Sequence, residues 1–197
     1  MRLWNGWGNE DSDLTMELSD GLRALLEALV GSGTALSQAT LNEVIAKVPD
    51  TRLDDHPLIK TDPETRVRHA RGQSLPDWLE MHSGNVDTFP DGVAFPESSA
   101  QVQELLAHAK ENNLIVIPYG GGTSVVGHIN PETSDKPVLT IDMVKMNSMI
   151  SIDTESQLAT FGAGAPGPVV EKELKKHGYT LGHFPQSWEL STLGGWV

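Results

Sequence analysis

The residues best equipped for chemistry sit at 118–124. There Pro118, Tyr119, Gly120, Gly121, Gly122, Thr123 and Ser124 follow the apolar run Leu114-Ile115-Val116-Ile117. Three successive glycines remove every Cβ, so the backbone can take left-handed angles and come close to a ligand. Consecutive N–H groups in such a turn form an anion-holding nest, and the Thr123 and Ser124 hydroxyls add donors. From Leu114 to Asp135 there is no Lys or Arg. A phosphate bound here would rest on backbone dipoles and hydroxyls. Hydrogen bonds to charged groups contribute roughly 1.5–3 kcal/mol each, so three or four hold a pyrophosphate without a cation. The plainer reading of the same residues is a tight turn that binds nothing.

Two commoner phosphate motifs fail. The Walker A pattern ends in Gly-Lys-Ser/Thr, but the register from Gly122 to Gly127 puts His128 and Ile129 in the last two places, and the lysine that reaches the phosphates is missing. The Rossmann fingerprint must open a helix, and here Gly120-x-Gly122 is followed by Val125, with Ile129-Asn130-Pro131 breaking any helix. A second constellation lies at 182–196, GHFPQSWELSTLGGW, where hydroxyls, an amide and glycines alternate with aromatic rings. That mixture suits a loop wrapped around a large flat cofactor. A structural turn could have the same composition, yet two such segments in one chain favour the cofactor.

The elements that must position these loops follow from periodicity. Leu22, Leu25, Leu26, Leu29 and Val30 fall at helical spacing behind Ser19 or Asp20, with Gly31 past the end. Thr40-Leu41-Asn42-Glu43 has capping-box form and opens a short helix through Val44, Ile45 and Val48, closed by Pro49. Asp62-Pro63 starts a helical turn through Arg66 and Arg68, and Ser74 starts another carrying Trp78 and Leu79. Residues 1–88 thus read as a mostly helical lead-in, with residues 1–13 as an arm ordered by docking. Residues 89–197 switch to strands alternating with helices. Strands are expected at 93–95, at 114–117 (a buried type), and at 138–142, 149–152 and 158–162. A second capping box, Ser98 to Gln101, opens a helix with Val102, Leu105, Leu106 and Ala109 on one face. A last helix begins at Pro168 and stops at Gly178. Hairpin-like and helical connections together argue an α+β fold.

Composition narrows the function classes. The 197-residue chain carries 27 acidic and 14 basic side chains, a formal net charge of −13. Such a field disfavours nucleic acid and anionic lipid as partners. No run approaches the roughly 18–20 apolar residues of a membrane span, and the start shows no secretory signal. There is no cysteine, and the seven histidines lack metal-ligand spacing, so no metal site is expected.

The run DGVAFPESSAQVQELLAHAKENNLIVIPYGGGTSVVGH resembles the N-terminal half of a PCMH-type, vanillyl-alcohol-oxidase-like FAD-binding domain. With WNGWG near the start and GHFPQSWELSTLGGW near the end, the chain is similar to the alkyldihydroxyacetonephosphate synthase branch of that family. The resemblance implies FAD as cofactor, its pyrophosphate on residues 118–124. It implies a second flavin-contacting stretch formed by Gln186, Ser187, Trp188, Glu189, Leu190, Ser191 and Thr192. Gln186 stands where some relatives have Asp. Relatives that attach FAD covalently use a His in the glycine loop; Thr123 sits in this one, so non-covalent binding is expected. The resemblance further implies a longer flavoenzyme whose later part holds the catalytic residues and the small-molecule substrate, so no catalytic residue is assigned here. In the synthase branch an acyl group is exchanged for an alkyl group on a dihydroxyacetone phosphate ester. An FAD-linked 2-hydroxyacid dehydrogenase of the D-lactate or glycolate type, and an inactive flavin-binding fragment, are the competing readings. A homodimer is one assembly to consider. The expected location is cytoplasmic, with membrane contact of the full-length protein left open. Arg2-Leu3 begins like a peroxisomal signal that Asn9-Glu10 does not complete.

Among the remaining residues, Trp4 and Trp7 read as anchors packing the arm on the body. Arg66, Arg68 and Arg71 read as a salt-bridged face. His69, His82 and His177 read as surface or helix-end residues, and His183 as either a flavin contact or a support for its loop. Glu171, Lys172, Glu173, Lys175 and Lys176 read as a solvated helix face.

Overall fold

A computed structural model describes residues 2–11 and 18–197. Met1 and the end of the expected arm, residues 12 and 13, lie outside the described residues. In chain order the elements are α1 (Asp20–Val30), α2 (Leu41–Ile45), β1 (Ile59–Lys60), α3 (Pro63–Arg68), α4 (Leu75–Ser83), β2 (Gly92–Ala94), α5 (Ser99–Glu111), β3 (Ile115–Tyr119), β4 (Val138–Asp142), β5 (Met149–Asp153), β6 (Leu158–Phe161) and α6 (Gly167–Lys175).

Local chemistry explains the helix starts. Thr40 accepts from the Glu43 N–H and the Glu43 carboxylate accepts from the Thr40 N–H at 2.7 Å, the expected reciprocal box. Ser74 and Asp77 close a second such box on α4. At α5 the expected box is shifted: Ser98 receives the Gln101 N–H, but the Gln101 amide oxygen accepts from the Glu97 N–H at 2.6 Å, one residue earlier than the motif requires. Helix α1 forms where its periodicity places it, capped by Ser19 and ended by Gly31, and none of its residues is buried.

One four-stranded sheet, in the order β1-β2-β4-β3, carries the molecule. The β2, β4 and β3 strands run parallel, with α5 as the crossover between β2 and β3; β1 adds antiparallel to β2. Every residue of β4 is buried, and Leu105 of α5 meets Leu139 and Ile141 in the core beside it. Full burial of such side chains contributes about 1.5–3 kcal/mol each. Strand β3 differs from expectation. It lies at the edge of this sheet, with Ile115 and Pro118 exposed, and only Ile117 and Tyr119 turn inward. An edge is where a strand tolerates proline, because the missing N–H faces no partner. Strands β5 and β6 form a separate antiparallel hairpin against α6.

The lead-in is joined to this sheet by charge as well as by β1. The Asp91 carboxylate accepts from the Arg52 guanidinium at 2.7 and 2.8 Å and from the Val138 N–H at 2.7 Å. Arg68 pairs with Glu64 and Glu10, and Arg71 with Glu80 and Asp87, as a salt-bridged face should. Arg66 departs from that reading. It is buried and donates to the Pro90 and Pro49 carbonyls, so backbone oxygens satisfy it. Trp4 packs on the core cluster of Val44, Val67, Ala70 and Met81, anchoring the arm as expected.

Candidate functional site

Strand β3 ends in Tyr119 and runs straight into the three glycines. Among these, Gly122 alone has a left-handed backbone, φ +66°. The other two are glycine for lack of room. A Cβ on Gly120 would collide with the Thr192 hydroxyl, and one on Gly121 with the Leu190 carbonyl; on Gly122 it would meet the Tyr119 hydroxyl. The two stretches singled out in the sequence are therefore packed against each other. Residues 118–124 form one wall, and Leu190, Ser191 and Thr192 lie against it.

The second stretch is buttressed by its own turns. Ser187 O accepts from the Leu190 and Ser191 N–H groups at 2.9 and 2.7 Å, and the Trp196 indole donates to the Ser191 hydroxyl at 2.7 Å. The Gly167 N–H donates to the Trp188 carbonyl at 3.2 Å, and Thr192 bridges to Pro166, so the stretch is strapped to the start of α6. Ser191 and Thr192 are buried; Gln186 and Glu189 are exposed; Ser187, Trp188 and Leu190 lie between. His183 is exposed and sits edge-on to Trp196, 6.0 Å between ring centroids.

The glycine wall also meets Gln73 and His69 of the lead-in. The Ser124 carbonyl accepts from the Gln73 N–H at 2.6 Å, and its hydroxyl lies 3.1 Å from His128 Nδ1. Tyr119 is buried beside His69, ring centroids 4.7 Å apart. Burial, opposed by Arg2 and reinforced by Asp142, pushes the Tyr119 phenol up to about 12, so it stays a neutral hydroxyl through the physiological range. His69 is a helix-end residue as expected but not a surface one. Its Nδ1 faces the Thr65 carbonyl at 2.7 Å, and its Nε2 meets the Asp142 carboxylate at 3.0 Å. His82, half-buried, bonds Gln38, and His177 is exposed. Lys172 and Lys175 of α6 and Lys176 just past it are exposed as expected, but Glu171 and Glu173 are half-buried, and Glu171 receives the Leu181 N–H and Thr180 hydroxyl.

Arg2 was not a candidate site residue in the sequence, and the fold brings it here. Its guanidinium Nη1 donates to the Gly121 carbonyl, across 119 positions of chain. A cavity of about 440 Å³ opens between arm, α3 and both loops, lined by Arg2, Tyr119, Gly121, Asp142, Asn147 and Leu190 among others. Separation hides such a residue, because nothing local marks a second-position arginine as a neighbour of a loop at 121.

Among the described residues, none accepts a hydrogen bond from the N–H groups of Gly121, Gly122, Thr123 or Ser124. Four successive donors with no acceptor among the described residues, and one left-handed residue among them, suit an anion nest. Among the described residues there is no cluster of three or more His, Asp or Glu able to hold a metal, and no helix is long and apolar enough to cross a membrane.

Comparison with known proteins places this fold in a family. The profile of the FAD binding domain family matches residues 90–197. The chain belongs to the FAD binding domain family. The chain is 39% identical over 139 residues to an alkyldihydroxyacetonephosphate synthase of Dictyostelium discoideum, a match covering 71% of this chain and 23% of that protein. It is 32% identical to the Caenorhabditis elegans enzyme of that name over 98% of this chain and 37% of the other. More distant is a D-lactate dehydrogenase (cytochrome) of Saccharomyces cerevisiae, 30% identical over 55% of this chain and 18% of that one. A solved alkyldihydroxyacetonephosphate synthase superposes with a TM-score of 0.81 at 30% identity, covering 99% of this chain and 42% of the enzyme. The FAD binding family thus accounts for the α+β architecture, and the chain spans less than half the length of these relatives.

Proposed function

We propose that this chain supplies the pyrophosphate-binding portion of a flavoenzyme that acts as an alkyldihydroxyacetonephosphate synthase. The observation that carries the reading is the superposition over 99% of the chain, which runs through the lead-in and arm as well as the FAD domain. The dehydrogenase relative matches only about half of the chain.

Residues 118–124 hold the FAD pyrophosphate through the Gly121 to Ser124 N–H groups and the Thr123 hydroxyl. Gln186, Ser187, Trp188, Glu189, Leu190, Ser191 and Thr192 flank the flavin. Ser191 and Thr192 act from within by fixing the second loop, and the exposed Gln186 is free to reach the cofactor. FAD, when bound, supplies the electrophilic ring chemistry of the reaction; this chain anchors and orients its diphosphate. Binding is non-covalent, with Thr123 occupying the loop. The small-molecule substrate and the catalytic residues belong to other parts of the protein, and a homodimer in the cytoplasm, touching membrane through those parts, completes the proposal.

Spectroscopy of the longest natural polypeptide carrying this chain tests the reading. It is expected to purify yellow, to release intact FAD on acid or heat, and to convert an acyl-dihydroxyacetone phosphate plus a fatty alcohol to the alkyl ether with release of the displaced acyl group as a fatty acid. Bleaching of the flavin by D-lactate would instead mark a dehydrogenase, and flavin left on the denatured chain would contradict non-covalent binding.

A further inference from the structure

The glycine loop has no cation of its own between Leu114 and Asp135, yet its middle carbonyl is occupied by one. Arg2 Nη1 donates to the Gly121 oxygen. In a trans peptide the carbonyl of one residue and the N–H of the next point in opposite directions. No peptide bond here is cis. With the Gly121 carbonyl turned toward the arm, the Gly122 N–H is turned away from it, one of the successive donors that find no acceptor among the described residues. A peptide between two glycines has little steric resistance to reorientation. Leu190 and Tyr119 crowd the loop from their sides, and the Arg2 contact adds a hold on the one carbonyl whose direction sets the Gly122 N–H.

The arm is built to deliver that contact. Arg68 on α3 donates to the Arg2 carbonyl at 2.9 Å, while its own fork is held by Glu64 at 2.9 Å and Glu10 at 3.3 Å. Arg2 and Asn9 form an isolated antiparallel bridge, and the Leu3 N–H donates to the Gly8 carbonyl at 3.0 Å, closing the arm into a turn. Trp4, half-buried, packs against the neighbouring core. Each of these contacts leaves the Arg2 guanidinium free to face the loop.

We propose that Arg2 is a positioning residue for the diphosphate nest: by holding the Gly121 carbonyl on the arm side it presents the Gly122 N–H to an anionic diphosphate on the other. This rests on the flavin-pyrophosphate reading of the glycine loop. It gives the arm a role in cofactor affinity beyond anchoring, and it makes Arg68 an indirect contributor acting through Arg2.

FAD titration of the longest natural polypeptide carrying this chain, followed by flavin fluorescence with thermal unfolding alongside, tests the proposal. Arg2→Met is expected to weaken FAD binding about tenfold without moving the unfolding temperature of the apoprotein. Arg2→Lys, which keeps a charged donor, recovers most of the affinity. Arg68→Met reproduces the loss, and the double variant binds no more weakly than Arg2→Met, because both act through one contact. Unchanged FAD affinity in Arg2→Met, failure of Arg2→Lys to recover it, or additive losses in the double variant would each overturn the role given to Arg2. An unsubstituted protein indifferent to FAD would instead sink the flavin reading itself, so the two failures are distinguishable.

Discussion

A Cβ added at Gly121 would run into the Leu190 carbonyl, while one added at Gly122 would run into the Tyr119 hydroxyl on a backbone that side chains rarely adopt. Neither substitution therefore isolates the ligand. Gly121→Val is expected to push the second loop away, lowering stability by about 1–3 kcal/mol as overpacking does, with flavin lost as a consequence; thermal unfolding reads the first effect and fluorescence titration the second. Thr123→Val is the cleaner probe. It keeps the shape and removes one hydroxyl, so FAD affinity should fall by roughly 0.5–3 kcal/mol with an unchanged circular dichroism spectrum. Lys172→Ala, on an exposed lysine of α6, should alter neither. The glycine loop was legible because its signal is local, three residues without side chains after an apolar strand. The reason for two of its glycines was not, since Thr192 and Leu190 reach them from about 70 positions away. The burial of His69 is hidden from the sequence for the same cause: its partner Asp142 is 73 positions distant.

Helices were easier to read than strands. Caps and periodicity are contained within a few residues, so α1, α2 and α3 begin where Ser19, Thr40 and Asp62 place them. Strand β1 has two residues and no pattern of its own; it exists because Ile59 and Lys60 pair with Ala94 and Val93. The partial exposure of β3 is not legible in its sequence, because an apolar run records composition and not which side of the sheet is covered. Asp91 shows how these elements are tied. Burial pushes its carboxyl up, but the Arg52 hydrogen bonds and the Val138 N–H outweigh that and hold it below the ordinary aspartate value. A depressed folded pKa stabilises the fold above the unfolded value and is lost as pH falls through the folded one. Asp91→Asn should accordingly cost about 2–3 kcal/mol at neutral pH, and the substituted protein should lose less stability than the original on acidification below about pH 4. Chemical denaturation at pH 7 and at pH 3 measures both.

Apolar surface is unevenly distributed over the molecule. Leu29 is 71% exposed on α1, Ile150 66% on β5 and Leu158 67% on β6, while β3 offers an open sheet edge. The 197-residue chain on its own should therefore self-associate and hold FAD weakly, seen as a mass that rises with concentration in light scattering. A flavin-saturated monomer would contradict this. The meeting of Arg2, Gly121 and Leu190 also carries a consequence for the order of synthesis. When Gly121 leaves the ribosome, its partner from the arm has long been available, but the carbonyl that backs it has not yet been made. At about 5–20 residues per second the intervening stretch of about 70 residues takes roughly 4–14 seconds. Through that interval the nascent loop has the arm on one side and an open back, and its packing is completed only when the second loop emerges.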